Sequence, residues 1–309
     1  MTSDHRFVAL APSRRTVLIA EMAVLGMALI WGINYSVIKY GTGLVPALAY
    51  NGVRVALAAL ALLVIAYIWG VPPARRDALA IFALGMLGNG LYQLFFAEGI
   101  TRTRAGEAAL VVGASPALMA LFGWMRGVER VGGRSAIGIA LSISGVGLVV
   151  LGRAATGPGA QGGSLTGNLL VLCGSVCWAI YTVLLVPYTR RVSSWYVIAL
   201  SMCGGAVVLL IVGGRAIVTH DWSSVPTGAW VSMVYAGLGG LVVAYILWYR
   251  GVKVLGPTRT ALYANLQPFI ALLVAWLTLG ETPRVWQIIG AVTIVGGALL
   301  TRAPASDAT

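Results

Sequence analysis

Long apolar runs separated by short polar segments dominate the chain from residue 17 to residue 301. Most of these runs reach about 20 residues, the length that an α-helix needs to cross a hydrocarbon core of roughly 30 Å. Glycine, proline and charge clusters divide the pattern into ten predicted membrane-spanning helices. Their predicted bounds are 17–40, 45–69, 78–97, 105–126, 133–151, 166–187, 195–213, 228–249, 258–279 and 285–301. The predicted fold class is therefore all-α, a polytopic membrane protein.

Polar and aromatic side chains interrupt four of these spans at helical spacing. Trp31, Asn34 and Tyr35 have i, i+3, i+4 spacing and share one helical face. The third, sixth and ninth spans repeat this arrangement with Asn89, Tyr92, Gln93, Trp178, Tyr181, Thr182, Tyr263 and Gln267. Taken singly, each amide is more typical of a hydrogen bond between helices than of a ligand contact. Because four such faces would all be costly towards lipid, we expect them to converge on a hydrated interior.

The chemistry of this interior suits a small zwitterionic or amphipathic metabolite. Amides can donate to a carboxylate and accept from an ammonium group, and aromatic rings can contact apolar groups and cations. The predicted substrate-binding residues are Trp31, Asn34, Tyr35, Asn89, Tyr92, Gln93, Ser115, Trp178, Tyr181, Tyr263 and Gln267. Pro116 and Pro268 each remove a backbone donor near a helix centre and are the predicted hinges, although kinks that serve packing alone fit equally well. The tryptophans near span ends are assigned to interface anchoring: Trp69, Trp124, Trp195, Trp230, Trp248 and Trp286.

Composition strengthens the membrane assignment. The chain is 59% hydrophobic and 10% charged, with a mean hydropathy of +0.89, which excludes an ordinary soluble domain. Its net charge of +12 resides in short clusters between apolar runs, so no nucleic-acid partner is expected. Most lysines and arginines fall on the side that carries the N-terminal tail. The positive-inside rule therefore places both termini in the cytoplasm of a bacterial cell, with the chain in the inner membrane.

The chain also resembles itself at a fixed offset. Identical residues recur 152 positions later, as in the pairs Gly85 and Gly237, Gly88 and Gly240, and Pro116 and Pro268. The stretch "IWGINY" in the first span likewise resembles "CWAIYT" in the sixth. Since each copy holds five helices, an odd number, the second copy must be inserted upside down. We predict two inverted five-helix repeats, residues 1–151 and 166–309, joined by a periplasmic Gly-rich linker at 152–165.

The halves resemble the drug/metabolite transporter superfamily, and within it the EamA-type ten-helix exporters. The resemblance rests on an early Trp and a fourth-helix Pro in each half, and on "GVERV…IGIALSISGVGLVVLG" echoed by "LGETP…IGAVTIVGGALL". A Val separates Gly127 from Glu129 in the first copy, which departs from the Gly-Glu pattern of the second. The resemblance implies export of small metabolites, and members with this layout include exporters of amino acids, aromatic ones among them.

Few charged side chains fall inside the predicted spans. Arg54 lies about ten residues into the second span, and we expect it to snorkel outwards rather than pair with an acid or attract an anionic substrate. Glu21 and Glu107 are candidate proton relays, whereas Glu129 and Glu281 are expected to cap the next helix or to pair with Arg. A facilitator driven by the substrate gradient alone is equally compatible.

Together these features predict a secondary transporter that exports amino acids or similar metabolites, including apolar or aromatic ones, through a central cavity by alternating access. The alternative is a channel-like facilitator or a lipid flippase on the same fold. A membrane-embedded enzyme is disfavoured because the nine acidic residues are scattered singly and neither histidine lies in a span. No cofactor or metal is expected. The expected partners are a small-molecule substrate and membrane lipids, and a monomer is compatible with this plan.

Overall fold

The computed structural model describes residues 13–127, 131–151 and 164–301, and these form a helical bundle without β-strands. The ten helices are α1 Arg14–Leu44, α2 Ala47–Trp69, α3 Arg75–Arg102, α4 Ala105–Met125, α5 Gly133–Leu151, α6 Leu165–Thr189, α7 Ser194–Thr219, α8 Thr227–Leu255, α9 in two pieces Pro257–Ala264 and Gln267–Leu279, and α10 Val285–Thr301. Nine of them are long and apolar enough to cross a membrane, and α10 is shorter. The predicted fold class is confirmed. Most of the predicted linker, residues 152–163, and both tails lie outside the described ranges.

Several helices extend beyond the predicted bounds because polar turns continue past the apolar runs. In α1, the N–H of Thr16 donates to Ser13 Oγ at 3.2 Å, which caps the helix start three residues ahead of the prediction. In α6, the N–H of Gly167 donates to Ser164 Oγ in the same way at 2.9 Å. Hydropathy marks the edge of the apolar run, whereas these caps mark the edge of the helix.

Polar contacts show which helix ends lie together. At one end, called the terminal end because α1 begins and α10 ends there, Glu21 of α1 pairs with Arg259 of α9, and Asp77 of α3 pairs with Arg191 at 2.7 Å. At the opposite end, called the far end, Lys39 Nζ of α1 donates to carbonyl oxygens at the end of α3. The ten helices therefore alternate in direction.

Two helices contain wide turns at corresponding positions. α3 is π-helical over Met86–Leu91 and α8 over Tyr235–Val243. The two stretches end 152 residues apart, at Leu91 and Val243, which is the offset of the internal sequence similarity. A π-turn adds a residue to the helix and often marks a functional position. Both halves therefore carry the same backbone irregularity near mid-depth.

Helices α4 and α9 are interrupted just ahead of the predicted hinge prolines. The break lies at Ala114 in α4 and at Asn265–Leu266 in α9, close to Pro116 and Pro268. Proline cannot donate the backbone hydrogen bond that would continue the preceding turn, which explains both positions. The interruptions agree with the expected kinks.

Buried apolar side chains form a more continuous cluster in the far half of the bundle. The largest cluster of buried apolar side chains joins helices of both halves there, whereas three smaller, separate clusters lie towards the terminal end. The far-half pieces Ala105–Gly113 and Gln267–Leu279 pack together. Beyond the prolines, Ser115–Met125 packs on α6 and Pro257–Ala264 packs on α1 and α8. The proline-bearing helices thus diverge towards the terminal end.

Candidate functional site

Helix α1 meets α8 at a glycine, and this contact positions two predicted site residues. A Cβ on Gly240 would lie 2.9 Å from Asn34 Nδ2, so only glycine admits the amide at this depth. Trp31 Nε1 donates to the carbonyl oxygen of Gly240 at 2.8 Å. The Trp31 ring also lies 5.7 Å from the ring of Tyr245 and 5.9 Å from that of Trp248. Trp248 was expected to anchor the helix at the membrane interface. In the structure its ring packs beside Trp31.

A second aromatic group links α1, α3 and α6. Tyr35 contacts Phe96 edge-on at 5.8 Å, and Phe96 lies 5.8 Å from Tyr92. Tyr92 is 5.4 Å from Trp178, which in turn is 5.3 Å from Tyr181. These spacings lie within the range in which aromatic pairs attract one another. Four of the predicted binding residues are thus brought together, and Phe96 joins them.

Two of the predicted amides keep an acceptor free. Asn34 Oδ1 and Asn89 Oδ1 are buried, and neither accepts a hydrogen bond from any residue in the described part of the chain. The hydroxyl of Tyr181 lies beside Asn89 and Ser201, close enough to interact with either side chain. A buried acceptor left unpaired costs about 1–3 kcal/mol. Such atoms are suited to a ligand that brings its own N–H donors.

Arg54 does not snorkel, so that expectation was wrong. Its side chain is 1% exposed and donates to three oxygen atoms: Nε to Asn51 Oδ1 at 2.7 Å, Nη2 to Gln93 Oε1 at 2.6 Å, and Nη1 to the Ala236 carbonyl at 3.4 Å. The Asn51 amide also donates to the backbone carbonyl of Gln93 at 2.7 Å. These bonds hold the guanidinium between α2, α3 and α8, away from the membrane interface.

The guanidinium also connects the two aromatic groups. The phenols of Tyr50, Tyr92 and Tyr245 all lie close enough to Arg54 to interact with it electrostatically. Tyr92 belongs to the group on α3 and α6, and Tyr245 belongs to the group on α8. Arg54 therefore lies near both groups of rings.

The remaining predicted residues are less central. Ser115 Oγ donates to a backbone carbonyl of its own helix at 2.6 Å, so it satisfies a group near the break in α4. Tyr263 packs in the same apolar cluster as Trp31. The Gln267 carbonyl approaches α1 closely, since a Cβ on Gly32 would lie 3.3 Å from it. Ser115 and Gln267 thus contact the helix backbone near the hinges.

A cavity of about 350 Å³ opens between α1, α8 and α9 in the far half of the bundle. It is lined by Ile33, Ser36, Val37, Tyr40, Gly228, Val231, Ser232, Tyr235, Val274, Thr278 and Leu279. None of the predicted substrate-binding residues lines it. This largely apolar cavity is therefore separate from the predicted site.

Polar side chains close the far end across the two halves of the chain. The Glu281 carboxylate accepts hydrogen bonds from the N–H groups of Ala105 at 3.0 Å and Gly106 at 3.3 Å, and it lies 3.8 Å from Arg104 Nε. A carboxylate at a helix N-terminus is stabilised by the unpaired N–H groups and the helix dipole. Glu281 thus pairs with an arginine, Arg104, as predicted, and it caps α4 of the other half rather than the next helix.

A fully buried carboxylate extends this closure. Glu107 accepts hydrogen bonds from Thr103 Oγ1 at 3.1 Å, Asn168 Nδ2 at 2.9 Å and Gln287 Nε2 at 3.1 Å. Lys39 Nζ lies nearby and donates to three carbonyl oxygens at the end of α3, at 2.5–3.2 Å. We call the Glu281 and Glu107 contacts the far-end lock, because they tie α3 and α4 to α6, α10 and the turn before α10.

Sequence signals exist for the site residues that were missed. At the offset of 152, Gln93 corresponds to Tyr245 and Phe96 corresponds to Trp248. Residues of the group on α3 therefore occupy the same positions in the repeat as residues of the group on α8. Asn51 precedes Arg54 by three residues, on the same helical face. A charged residue with an amide one turn away indicates an internal network, and that spacing is visible without a structure.

Comparison with known proteins gives one family over most of the chain. The sequence profile of the EamA-like transporter family matches residues 18–151 and matches a second time at residues 165–303. These two segments cover all ten helices apart from the first turn of α1. A crystal structure of another protein aligns with 92% of this chain and 96% of its own at 21% identity and a TM-score of 0.64, which shows a shared fold.

Similar chains are described as transporters. The uncharacterized transporter YyaM of Bacillus subtilis is 26% identical over 287 residues, 89% of this chain and 91% of its own length. A probable terminal-alkyne amino-acid exporter of Streptantibioticus cattleyicolor is 26% identical over 87% of this chain and 89% of its own. The uncharacterized inner membrane transporter YedA of Escherichia coli is also 26% identical, over 84% of this chain and 83% of its own.

Proposed function

Because the chain belongs to the EamA-like transporter family, we propose that it exports amino acids or related small metabolites, including apolar and aromatic ones, by alternating access. Family membership makes it a multi-pass membrane transporter rather than an enzyme. The substrate class rests on one observation: two groups of aromatic rings lie on helices that also carry the buried, unpaired amide oxygens of Asn34 and Asn89. The description of one relative as a probable amino-acid exporter supports the same class.

The geometry favours a substrate with an apolar side chain and polar head groups. Ring faces of Trp31, Tyr92 and Trp178 are half-buried, which leaves part of each available to a bound molecule. Apolar and aromatic side chains gain both burial and ring contacts from such a wall. The unpaired Oδ1 atoms of Asn34 and Asn89 can accept hydrogen bonds from N–H groups of the substrate's polar head group.

The arrangement of the two ends supports alternating access. The far-end lock and the large apolar cluster close one end, and the proline-bearing helices diverge towards the other. We place the terminal end in the cytoplasm of the inner membrane by the positive-inside rule, so this conformation would face inwards. Residues 1–151 and 166–309, joined by the linker 152–165, would rock against each other about Pro116 and Pro268.

A flux panel in proteoliposomes tests the proposal. Purified protein is reconstituted, and counterflow of labelled amino acids, sugars and nucleosides is measured for the wild type and for Trp31→Ala, Asn34→Ala and Trp178→Ala. We expect amino-acid flux in the wild type and a loss of about tenfold or more in each variant, since each change removes contacts worth about 1.4 kcal/mol or more. Trp69→Ala, which alters an exposed ring near a helix end, is the matched control.

Other outcomes separate the alternatives. A preference for sugars or nucleosides would reject the substrate class, and unchanged flux in all three variants would reject the site. Flux that rises linearly with concentration and shows no counterflow would indicate a channel. Scrambling of labelled lipid between leaflets would indicate a flippase. Reporter fusions at both termini test the orientation, which is rejected if either terminus lies outside the cytoplasm.

A further inference from the structure

Arg54 is a buried charge that has no acidic partner among the described residues. Four other arginines form ion pairs with carboxylates, namely Arg102, Arg104, Arg191 and Arg259. Arg54 is 1% exposed, yet among the described residues all its hydrogen-bond acceptors are neutral oxygens, from two amides and a backbone carbonyl. Removal of a charge from water is costly unless an opposite charge compensates it. In a transporter, the substrate can supply that charge.

The guanidinium retains donors for such a substrate. It carries five N–H groups, and the described contacts use three of them, one each on Nε, Nη1 and Nη2. The two N–H groups that remain are on Nη1 and Nη2. A planar carboxylate can accept from both at once, which is the strong, bidentate form of this interaction.

The free acceptors lie on one side of Arg54. Arg54 contacts Ala236, whereas Asn34 lies against Gly240, about one turn closer to the terminal end of α8. Arg54 also contacts Gln93, and Asn89 lies about one turn closer to the terminal end of α3. Unused donors and unpaired acceptors are thus offset in the same direction along two helices, the order that a molecule carrying both a carboxylate and an ammonium group would need.

From this arrangement we infer that Arg54 is the carboxylate-binding residue of the transporter, and that Asn34 Oδ1 and Asn89 Oδ1 receive the ammonium group of the same substrate. The assignment rests on the proposed function and makes it narrower. It requires that a free carboxylate be present on the transported molecule. Amides and decarboxylated amines with the same side chain are then poor substrates, although they fit the aromatic rings equally well.

The test compares phenylalanine with phenylalaninamide, which differ only in the group assigned to Arg54. Uptake of each is measured in proteoliposomes containing the full chain, for the wild type, Arg54→Met and Arg54→Lys. In the wild type we expect phenylalanine to be preferred by about 10- to 100-fold, the effect of a charge-assisted bidentate contact. Arg54→Met should lower this preference to about onefold, and Arg54→Lys should retain part of the preference.

A preference ratio separates recognition from folding, because a smaller folded fraction lowers both uptakes equally. Arg191→Met, which breaks a surface ion pair at the terminal end, is the matched control and should keep the wild-type ratio. Equal uptake of acid and amide by the wild type, or an unchanged ratio in Arg54→Met, overturns the assignment and leaves the proposed function intact. Absence of uptake for every amino acid in the wild type overturns the proposed function and the assignment with it. If Arg54→Met does not fold, the wild-type ratio and Arg54→Lys decide the question.

Discussion

Two helix crossings occupy corresponding positions in the halves of the chain but bury different side chains. In one, α8 crosses α2, and a Cβ on Gly237 would lie 2.8 Å from the carbonyl oxygen of Arg54. In the other, α3 crosses α7, and a Cβ on Gly85 would lie 2.2 Å from the carbonyl oxygen of Ser201. Gly85 and Gly237 are 152 residues apart, the offset of the internal similarity, and Arg54 and Ser201 are 147 apart, the offset that relates "IWGINY" to "CWAIYT". The two glycine contacts correspond in sequence position, and the side chains beside them differ.

The neighbouring crossings differ in the same way. Gly240 of α8 receives the amide of Asn34, whereas Gly88 of α3 receives the ring of Tyr181, with a hypothetical Cβ 2.0 Å from Tyr181 Cγ. One half therefore contributes a guanidinium and an amide, and the other contributes a hydroxyl and a phenol. A pseudo-symmetric frame with unlike side chains can bind an asymmetric molecule in a single orientation. The predictions below test this contrast, beginning with the largest effect.

The far-end lock joins the two halves of the chain, since Glu281 caps a helix of the other half. Its counterpart in the repeat, Glu129, lies outside the described residues. Glu281→Gln removes charge-assisted bonds worth about 1.5–3 kcal/mol, so the far end should open about tenfold more often. A cysteine placed at the buried Ala108, with native cysteines replaced by alanine, should then react faster with an impermeant maleimide. Glu98→Gln, which breaks an ion pair within α3, is the control. Equal labelling in both variants would show that the lock does not hold the far end shut.

The two glycine crossings should tolerate a methyl group unequally. A Cβ on Gly85 would lie within 2.6 Å of three backbone atoms of Ser201, whereas one on Gly237 meets a single atom at 2.8 Å. We expect Gly85→Ala to lower stability by about 1–3 kcal/mol through overpacking, and Gly237→Ala to lower it less. The melting temperature in detergent measures both. Gly214→Ala, with open space around the site, is the control and should not destabilise. The reverse order would contradict the contrast between the crossings.

The two deep tryptophans should differ in how they are held. Trp31 donates to the Gly240 carbonyl at 2.8 Å, whereas Trp178 is described by its ring contacts with Tyr92 and Tyr181. Trp31→Phe should therefore lower the free energy of unfolding by about 0.5–1.5 kcal/mol beyond the effect of its smaller ring. Trp178→Phe should retain most of its stacking. Thermal stability of the two variants, measured side by side, checks this, and an equal loss would argue that the hydrogen bond contributes little.

The smallest effect is expected at Ser201. Its Oγ is buried without a hydrogen-bond partner among the residues that the structure describes. Ser201→Ala should change stability by no more than about 0.5 kcal/mol, and removal of an unpaired polar atom favours a slight gain. The same melting assay measures it. A large loss would mean that the hydroxyl has a role comparable to that of Arg54.

Much of the fold follows from hydropathy and the repeat, and the exceptions have physical causes. The ten spans are present because runs of about 20 apolar residues have few alternatives to a membrane helix. The breaks near Pro116 and Pro268 follow from the missing backbone donor. The π-helical stretches at Met86–Leu91 and Tyr235–Val243 have no hydropathy signal, because an added residue changes the angle between side chains and leaves their polarity unchanged.

The site was predicted in part. Helical spacing grouped Tyr92 with Gln93, and Trp178 with Tyr181, but it could not show that Gln93 bonds to Arg54. The prediction that Arg54 snorkels considered only the depth of this charge in the membrane. Its position depends instead on acceptor oxygens from three helices. Contacts between helices far apart in sequence decide such cases, and one sequence does not specify them. Whether the predicted residues bind substrate is a question for the flux experiments.

The wide turn in α3 holds one residue more than a regular helix would need there. Deletion of one residue from Met86–Leu91 would let the helix return to about 3.6 residues per turn, while Tyr92, Gln93 and Phe96 kept their places beside their partners. Only the side chains within the stretch, Asn89 among them, would turn to new directions. The register of this stretch is thus itself a heritable trait of the protein, one that a survey of point mutants would never sample.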